Sequence, residues 1–422
     1  MNTPSFPGRA VLALGVLWLG AAADSSAHDF DIKIGGDADL TAGYTSQSYD
    51  SGATQHVDFT NRFRVNITPT ATADNGMEYG ASLRIRAYMA NGTIDAQRAY
   101  LFADGRYGRV EAGLVASPNG EYAITTPYNF GTGGVDGDWS NGTGWLQNQN
   151  TFLEPYFGGG FNGITDTTWS TRISYFTPRV FGQGEDAPGL MATLSFVPQN
   201  LNLATGVSRV QTIGTTGKSF CAATLPNSPI SGCAYKNVVE TGLVYDGKLE
   251  GVTISASAAY EHGEAPADLT GVAYHALSAY QAGLMLGYAG FHLGGSYVNA
   301  GKSSYAANQG YALNDQTTVA VGLSYETGPL VIGFNYAHGE DAGDVTVPGK
   351  RTADLYAVGL TYTLAPGLTT ALEYMRSITA NEPGYGTDPF GNDARGTPPT
   401  PTDIGYGSGN GNLILWKTVV AF

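Results

Sequence analysis

The chain has 422 residues, of which 14% are charged, and its 36 acids against 21 bases give a formal net charge of −15. That charged fraction lies well below the roughly 25% of ordinary soluble domains, and the acidic balance excludes nucleic acid as a partner, because neutralising phosphates needs a basic surface. Gly (59) and Tyr (26) are abundant while Met (6) and Cys (2) are scarce, which suits a sheet whose outside meets lipid.

Residues 1–27 read as a secretory signal. Arg9 supplies the positive start, Ala10 to Ala23 the apolar stretch, and Ser25-Ser26-Ala27 a small-residue cleavage site, with Ala21 to Ala23 as the alternative. The apolar stretch is shorter than the ~20 residues a spanning helix requires. No later segment is long and charge-free enough either, so residues 28–422 are expected to form one exported domain without a membrane helix.

Sixteen strand candidates follow, at about 30–46, 56–73, 77–91, 94–104, 108–116, 167–178, 189–197, 236–246, 251–262, 273–288, 291–300, 316–326, 330–339, 352–363, 368–378 and 413–422. The alternation is clear in 56–68, where Phe59, Phe63, Val65 and Ile67 oppose Asp58, Thr60, Arg62, Arg64 and Asn66. It recurs in 77–89, where Met77, Tyr79, Leu83 and Ile85 oppose Glu78, Ser82, Arg84 and Arg86. Connectors alternate in length. Asp74-Asn75-Gly76, Asp104-Gly105, Asp246-Gly247, Glu326-Thr327-Gly328 and Ala365-Pro366-Gly367 are tight turns by composition, whereas 117–166, 198–235 and 379–412 are long. Short turns on one side and long loops on the other form the pattern of a bacterial outer-membrane barrel. The last ten residues, Leu413 to Phe422, complete it, with Ile414, Trp416, Thr418, Val420 and Phe422 on one face and Lys417 on the other. Tyrosines near the expected strand ends suit interfacial girdles.

Arg62, Arg64, Arg84, Arg86 and Arg98 are five of fourteen arginines within 37 residues. Alternation puts them on the polar face, hence in a wet lumen, since a lipid-facing arginine costs roughly 2–4 kcal/mol at mid-bilayer. The loop 117–166 carries Glu121, Asp136, Asp138 and Glu154. It also holds more aromatics than a solvated loop can pack, among them Tyr122, Tyr128, Phe130, Trp139, Trp145 and Phe152. The expectation is a loop folded inward, its acids facing the arginines across a constriction.

At this point the chain resembles the general-diffusion porins of Gram-negative bacteria, of the alphaproteobacterial type. The resemblance rests on Arg98-Ala-Tyr-Leu-Phe-Ala-Asp-Gly-Arg-Tyr-Gly-Arg-Val-Glu-Ala-Gly113, the long loop after it and the terminal Phe422. It implies an all-β fold, a 16-stranded antiparallel transmembrane barrel with its third loop in the pore, and a homotrimer. Leu153-Glu-Pro-Tyr-Phe-Gly-Gly159 is similar to the loop-tip motif of enteric porins, which makes Glu154 the foremost acid.

Other signals are weaker. Asp136, Asp138 and Ser140 put oxygens at every second position, as calcium loops do, but Gln147 stands where the closing Glu is expected and the sixth position is not Gly. A polar loop tip is the favoured reading, and structural calcium, which similar porins carry near that loop, is the other. No further cofactor is implied. Cys221 and Cys233 in the loop 198–235 suit a disulfide formed in an oxidising compartment, worth roughly 3 kcal/mol in a ring this short. His262-Gly-Glu264 and His338-Gly-Glu340-Asp341 read as ordinary loop-tip residues. Gly131-Thr-Gly-Gly-Val-Asp-Gly137 lacks the Lys of a phosphate loop.

The expectation is therefore a porin of the cell outer membrane, not an enzyme, that passes small hydrophilic solutes and ions passively among lipid and lipopolysaccharide. A sugar-selective porin using the loop aromatics is the runner-up. A barrel enzyme and an adhesin are the readings from other classes.

Overall fold

The computed structural model describes residues 30–48, 50, 55–88, 93–137, 145–146, 170–180, 189–199, 221–223, 231–233, 235–265, 273–303, 305, 307, 315–341, 350–382 and 407–422. The signal expected over 1–27 lies outside them. The first five strands are β1 (Asp31–Gln47), β2 (Val57–Thr72), β3 (Glu78–Tyr88), β4 (Thr93–Gly105) and β5 (Gly108–Val115). A single helical turn, α1 (Pro118–Glu121), follows them. Next come β6 (Ser170–Phe176), β7 (Gly189–Gln199), β8 (Cys221–Ala223), β9 (Ser231–Cys233), β10 (Lys236–Leu249), β11 (Val252–Glu264) and β12 (Leu277–Tyr288). The chain continues with β13 (Phe291–Gly301), β14 (Gln316–Thr327), β15 (Leu330–Asp341), β16 (Arg351–Ala365), β17 (Leu368–Glu382) and β18 (Gly407–Ala421).

Sixteen of these strands form one closed antiparallel barrel, each paired with its neighbour in sequence. β8 and β9 form a separate hairpin, so β7 pairs directly with β10. Closure joins β1 to β18 from Asp37 opposite Ala421 to Gln47 opposite Gly411. Below that ladder Gly36 and Phe422 exchange two backbone bonds, of 2.8 and 3.0 Å, and the Phe422 ring packs on Phe63 at 5.8 Å.

Every expected barrel strand is present, with three local differences. β18 starts at Gly407 rather than 413, because Gly409 to Asn412 still find backbone partners on β17. The turn expected at Asp246-Gly247 falls instead at Glu250-Gly251, whose φ values of 48° and 88° suit a tight hairpin. Asp246 stays in the strand because its carboxylate faces inward, accepting from Arg179 and Ser255 at 2.8 Å each. Likewise the turn expected at Asp104-Gly105 falls two residues on, at Arg106-Tyr107, since β4 runs through Gly105 and β5 resumes at Gly108.

Strand alternation sorts the two faces. On β17, Leu372, Tyr374 and Ile378 are exposed outward, while Ala371, Glu373, Met375 and Ser377 are buried on the inner side. The outer face is apolar, carrying Leu323, Ile332, Phe334, Val358, Leu360, Ile414 and Trp416. Two aromatic girdles bound it: Tyr245, Tyr288, Phe291 and Tyr362 toward the short-turn end, and Tyr44, Tyr260, Tyr280 and Tyr297 toward the long-loop end. Leu360→Arg should therefore lower stability by about 2–4 kcal/mol, read from the denaturant midpoint of the barrel folded into phospholipid vesicles.

Candidate pore constriction

All five arginines of the cluster lie on three adjacent strands and face the lumen. The register sets Arg64 opposite Arg86 and Asn66 opposite Arg84 on β2 and β3, then Arg84 opposite Arg98 on β4. A bulge at Gln97 shifts that last pairing by one residue, so the side chains above and below it keep their faces. Guanidinium groups this crowded need counter-charge, and the next strand, β1, supplies two of the acids that give it. Arg62 meets Asp39 at 2.8 Å and Arg64 meets Asp37 at 2.9 Å, both acids on β1. Arg84 donates through Nε to Asn66 at 2.7 Å.

Of the four expected loop acids, Glu121 reaches an arginine, Arg98, at 2.9 Å. Asp136 lies in a one-turn helix at 134–136 and lines a recess of about 340 Å³ that also includes Lys417. Lys417 in turn lies 3.9 Å from Asp39. Asp138 and Glu154 lie outside the described residues, as does Ser140, so Asp136 is the one described member of the expected calcium loop. The ammonium of Lys417 in the same recess works against a cation there. Asp37 and Asp39 were not among the expected acids. Their signal is the short alternation Asp37-Ala38-Asp39, but nothing in one strand tells which neighbour it will pair with.

Among the described residues after β5, backbone groups of 119–134 and 145 are bonded by wall side chains, strand after strand. Ser117 starts α1 by accepting from Asn119 N. Gln281 on β12 donates to Asn119 O, and Ser257 on β11 accepts from Ile124 N at 2.8 Å. Asn335 on β15 donates to Thr126 Oγ1 and Pro127 O, both at 2.9 Å. Glu373 on β17 accepts from Thr132 N at 2.8 Å, Gly134 N at 3.0 Å and the Thr132 hydroxyl. Further on, Trp145 O accepts from Thr45 Oγ1 at 3.0 Å and Gln47 Nε2 at 3.2 Å on β1.

Two properties of glycine make this path possible. Gly131, Gly133 and Gly134 have φ of 58°, 118° and 63°, which aims the N–H groups of Thr132 and Gly134 at one carboxylate, while Gly133 N donates to Phe130 O. The run without a phosphate-loop Lys thus holds Glu373 of its own barrel. On the wall, a Cβ at Gly283, Gly333 or Gly43 would overlap Ile124 O, the Phe130 ring or the Trp145 ring respectively. Phe130 and Trp145 are accordingly buried, 1% and 4% exposed.

Beside α1, a cavity of about 890 Å³ opens between β4 to β7 and the loop. Arg109 lines it, bonded to Glu111 at 2.8 Å and stacked over Phe102 at 4.4 Å. Burial and the adjacent Glu121 push the Tyr122 phenol above its ordinary pKa. Farther along the wall, Arg172 and Glu240 form an ion pair with both side chains fully buried. Cys221 and Cys233 occupy opposite positions in the β8 and β9 register.

A closed sheet that is apolar outside and carries paired charges inside is a transmembrane β-barrel with a polar lumen. The chain matches the Gram-negative porin family over residues 10–381 and belongs to it, which places it in the outer membrane. An uncharacterised protein of Rickettsia conorii is 24% identical over 337 residues, covering 71% of this chain and 73% of that one. A second, from Rickettsia typhi, is 24% identical over 422 residues, covering 88% and 92%; both relatives suit the alphaproteobacterial type. Among solved structures, the anion-selective porin from Comamonas acidovorans superposes with a TM-score of 0.55 at 15% identity, covering 93% of this chain and 100% of that one. The outer membrane channel DcaP of Acinetobacter baumannii gives 0.52 at 14%, covering 93% and 97%. OmpT of Vibrio cholerae in its trimer form gives 0.53 at 11%, covering 94% and 100%.

Glu373→Ala should release the loop from the wall. Three donors lose one acceptor, each bond contributing about 1.5–3 kcal/mol as it ends on a charged group, so amide exchange at Thr132 and Gly134 should accelerate while strand amides stay protected.

Proposed function

We propose that the protein is a homotrimeric general-diffusion pore that passes small hydrophilic solutes and ions down their gradients. The observation that carries this reading is the row of five arginines on β2 to β4, to which Asp37, Asp39 and Glu121 bring acids. Arg62, Arg64, Arg84, Arg86 and Arg98 form the positive side of the constriction. Glu121 and Asp136 supply loop acids, with Asp138 and Glu154 completing the set. Asp37 and Asp39 hold Arg62 and Arg64 in place and temper their charge, while Arg84 is bonded to the neutral Asn66.

A sugar-selective path needs aromatic faces exposed along the lumen; of the described loop aromatics, Phe130 and Trp145 are turned into the wall, whereas Tyr128 is exposed beside Lys417. Membership of the porin family favours a channel over a barrel enzyme or an adhesin. Trimerisation draws support from the trimer form of the Vibrio OmpT barrel. In transit through an oxidising compartment, Cys221 and Cys233 close a disulfide that staples the β8 and β9 hairpin.

Planar-bilayer recording tests the proposal. Wild type should insert with three conductance sublevels, and Arg84→Ala/Arg86→Ala should move the reversal potential in a salt gradient toward cations, because the local field at a constriction outweighs charge beyond the ~8–10 Å screening length. Folded protein without conductance would refute the pore, and an unmoved reversal potential would refute the arginine wall.

A further inference from the structure

The cavity beside α1 carries charges of both signs, and they match in number. Arg98, Arg106, Arg109 and Arg179 border it, as do Asp104, Glu111 and Glu121. A fourth carboxylate, Asp246, bonds Arg179 at 2.8 Å. The summed charge is close to zero, so a simple anion or a simple cation gains no net attraction there. The single charges are nonetheless accessible. Arg109 spends Nε on Glu111 at 2.8 Å and meets Asp104 through NH1 at 3.5 Å. Arg179 spends NH1 on Asp246 and on Gly189 O. Among the described residues, the other N–H groups of these two forks have no acceptor. Asp104 accepts no hydrogen bond among those residues, and its side chain is 44% exposed.

An apolar strip borders the same space. Tyr122 packs edge-on against Phe176 with ring centroids 5.8 Å apart, and Met191 belongs to the same cluster. All three line the cavity. Its place in the pore follows from its borders. Arg98 and Glu121, bonded at 2.9 Å, belong to the constriction, while Gly105 and Gly108 flank a turn of the short-turn rim. The cavity therefore lies between the arginine row and the periplasmic mouth, where a solute that has passed the row arrives next. Its volume of about 890 Å³ is that of a small-molecule site.

We propose that this cavity binds a free α-amino acid with an apolar side chain, held as its zwitterion. The open donors of Arg109 and Arg179 take the carboxylate, since planar guanidinium groups match carboxylate oxygens. Asp104 takes the ammonium, and the strip of Tyr122, Phe176 and Met191 takes the side chain. A zwitterion is neutral overall yet charged at both ends, which is what a neutral cavity with exposed charges of both signs selects. The assignment rests on the pore proposed above and adds a solute class and the place where that solute pauses.

Ligand-observed saturation-transfer NMR on the detergent-purified full chain tests this, because it reads binding without requiring conduction. Wild type should bind L-phenylalanine. 3-Phenylpropionate lacks the ammonium, phenethylamine lacks the carboxylate and glycine lacks the ring. Each should bind about tenfold more weakly, the effect of losing one charge-assisted contact or one buried side chain. Arg179→Gln should also bind L-phenylalanine about tenfold more weakly. Asp104→Asn should do the same yet hold 3-phenylpropionate no less tightly than wild type, a pattern that a misfolded barrel would not give. Equal affinity for L-phenylalanine and 3-phenylpropionate in wild type would overturn the zwitterion, and equal L-phenylalanine affinity in wild type and Asp104→Asn would overturn the site. Planar-bilayer conductance without solute is recorded separately. A conducting barrel that does not bind L-phenylalanine refutes this site alone, and a folded barrel that binds it without conducting refutes the pore alone.

Discussion

Hydrocarbon offers no hydrogen-bond partner to a peptide group, and the rest of this structure follows from that constraint. A strand crossing a bilayer must give every N–H and C=O to a neighbouring strand, so the sheet must close on itself. Here closure falls between β1 and β18 and is sealed by the reciprocal bonds of Gly36 and Phe422. Once the sheet is closed, a period of two assigns each side chain to lipid or lumen. A slip of one residue in β2 would turn Arg62 and Arg64 outward and Phe63 inward, which the lipid would not tolerate.

A polar lumen then permits what a packed core would forbid. Arginines crowd on three strands because water, Asn66 and the acids of β1 share their field. Loop backbone needs hydrogen-bond partners as much as strand backbone does where it is shut off from water, and the wall provides them through Gln281, Ser257, Asn335, Glu373 and Thr45. Small residues matter equally. The glycines at 43, 283 and 333 open the space in which loop atoms lie against the wall. The same residue type thus serves the loop by its backbone freedom and the wall by its missing side chain.

The outer face obeys a simpler rule, broken toward the long-loop end, where Asp354 on β16 and Arg376 on β17 leave from it. Aliphatic rows between tyrosine girdles answer to the bilayer alone, and Arg376 is tolerated where the bilayer becomes polar. Its neighbour Asn412 lies within a stretch that reads in sequence as the end of a long polar loop, which is why the extension of β18 to Gly407 went unanticipated.

Local pattern was enough for the strand count, the polar inner face and the inward aim of the five arginines, because alternation and turn chemistry act over a few residues and the membrane enforces them strictly. Residue type alone named Glu121 as one of four candidate loop acids, but the resemblance put Glu154 foremost. Partners distant along the chain were not legible. Arg62 with Asp39, Glu373 with the amides of Thr132 and Gly134, and Phe130 on Gly333 join strands and loop segments between 23 and 241 residues apart. Spacing within one strand carries no record of which strand will lie beside it, or of what a loop will touch when it crosses the barrel. The sequence by itself determined a closed, wet barrel for the outer membrane. Only the tertiary structure decided which charges face one another inside it, because pairing is set by the cyclic order and register of strands that closure imposes on the whole chain at once.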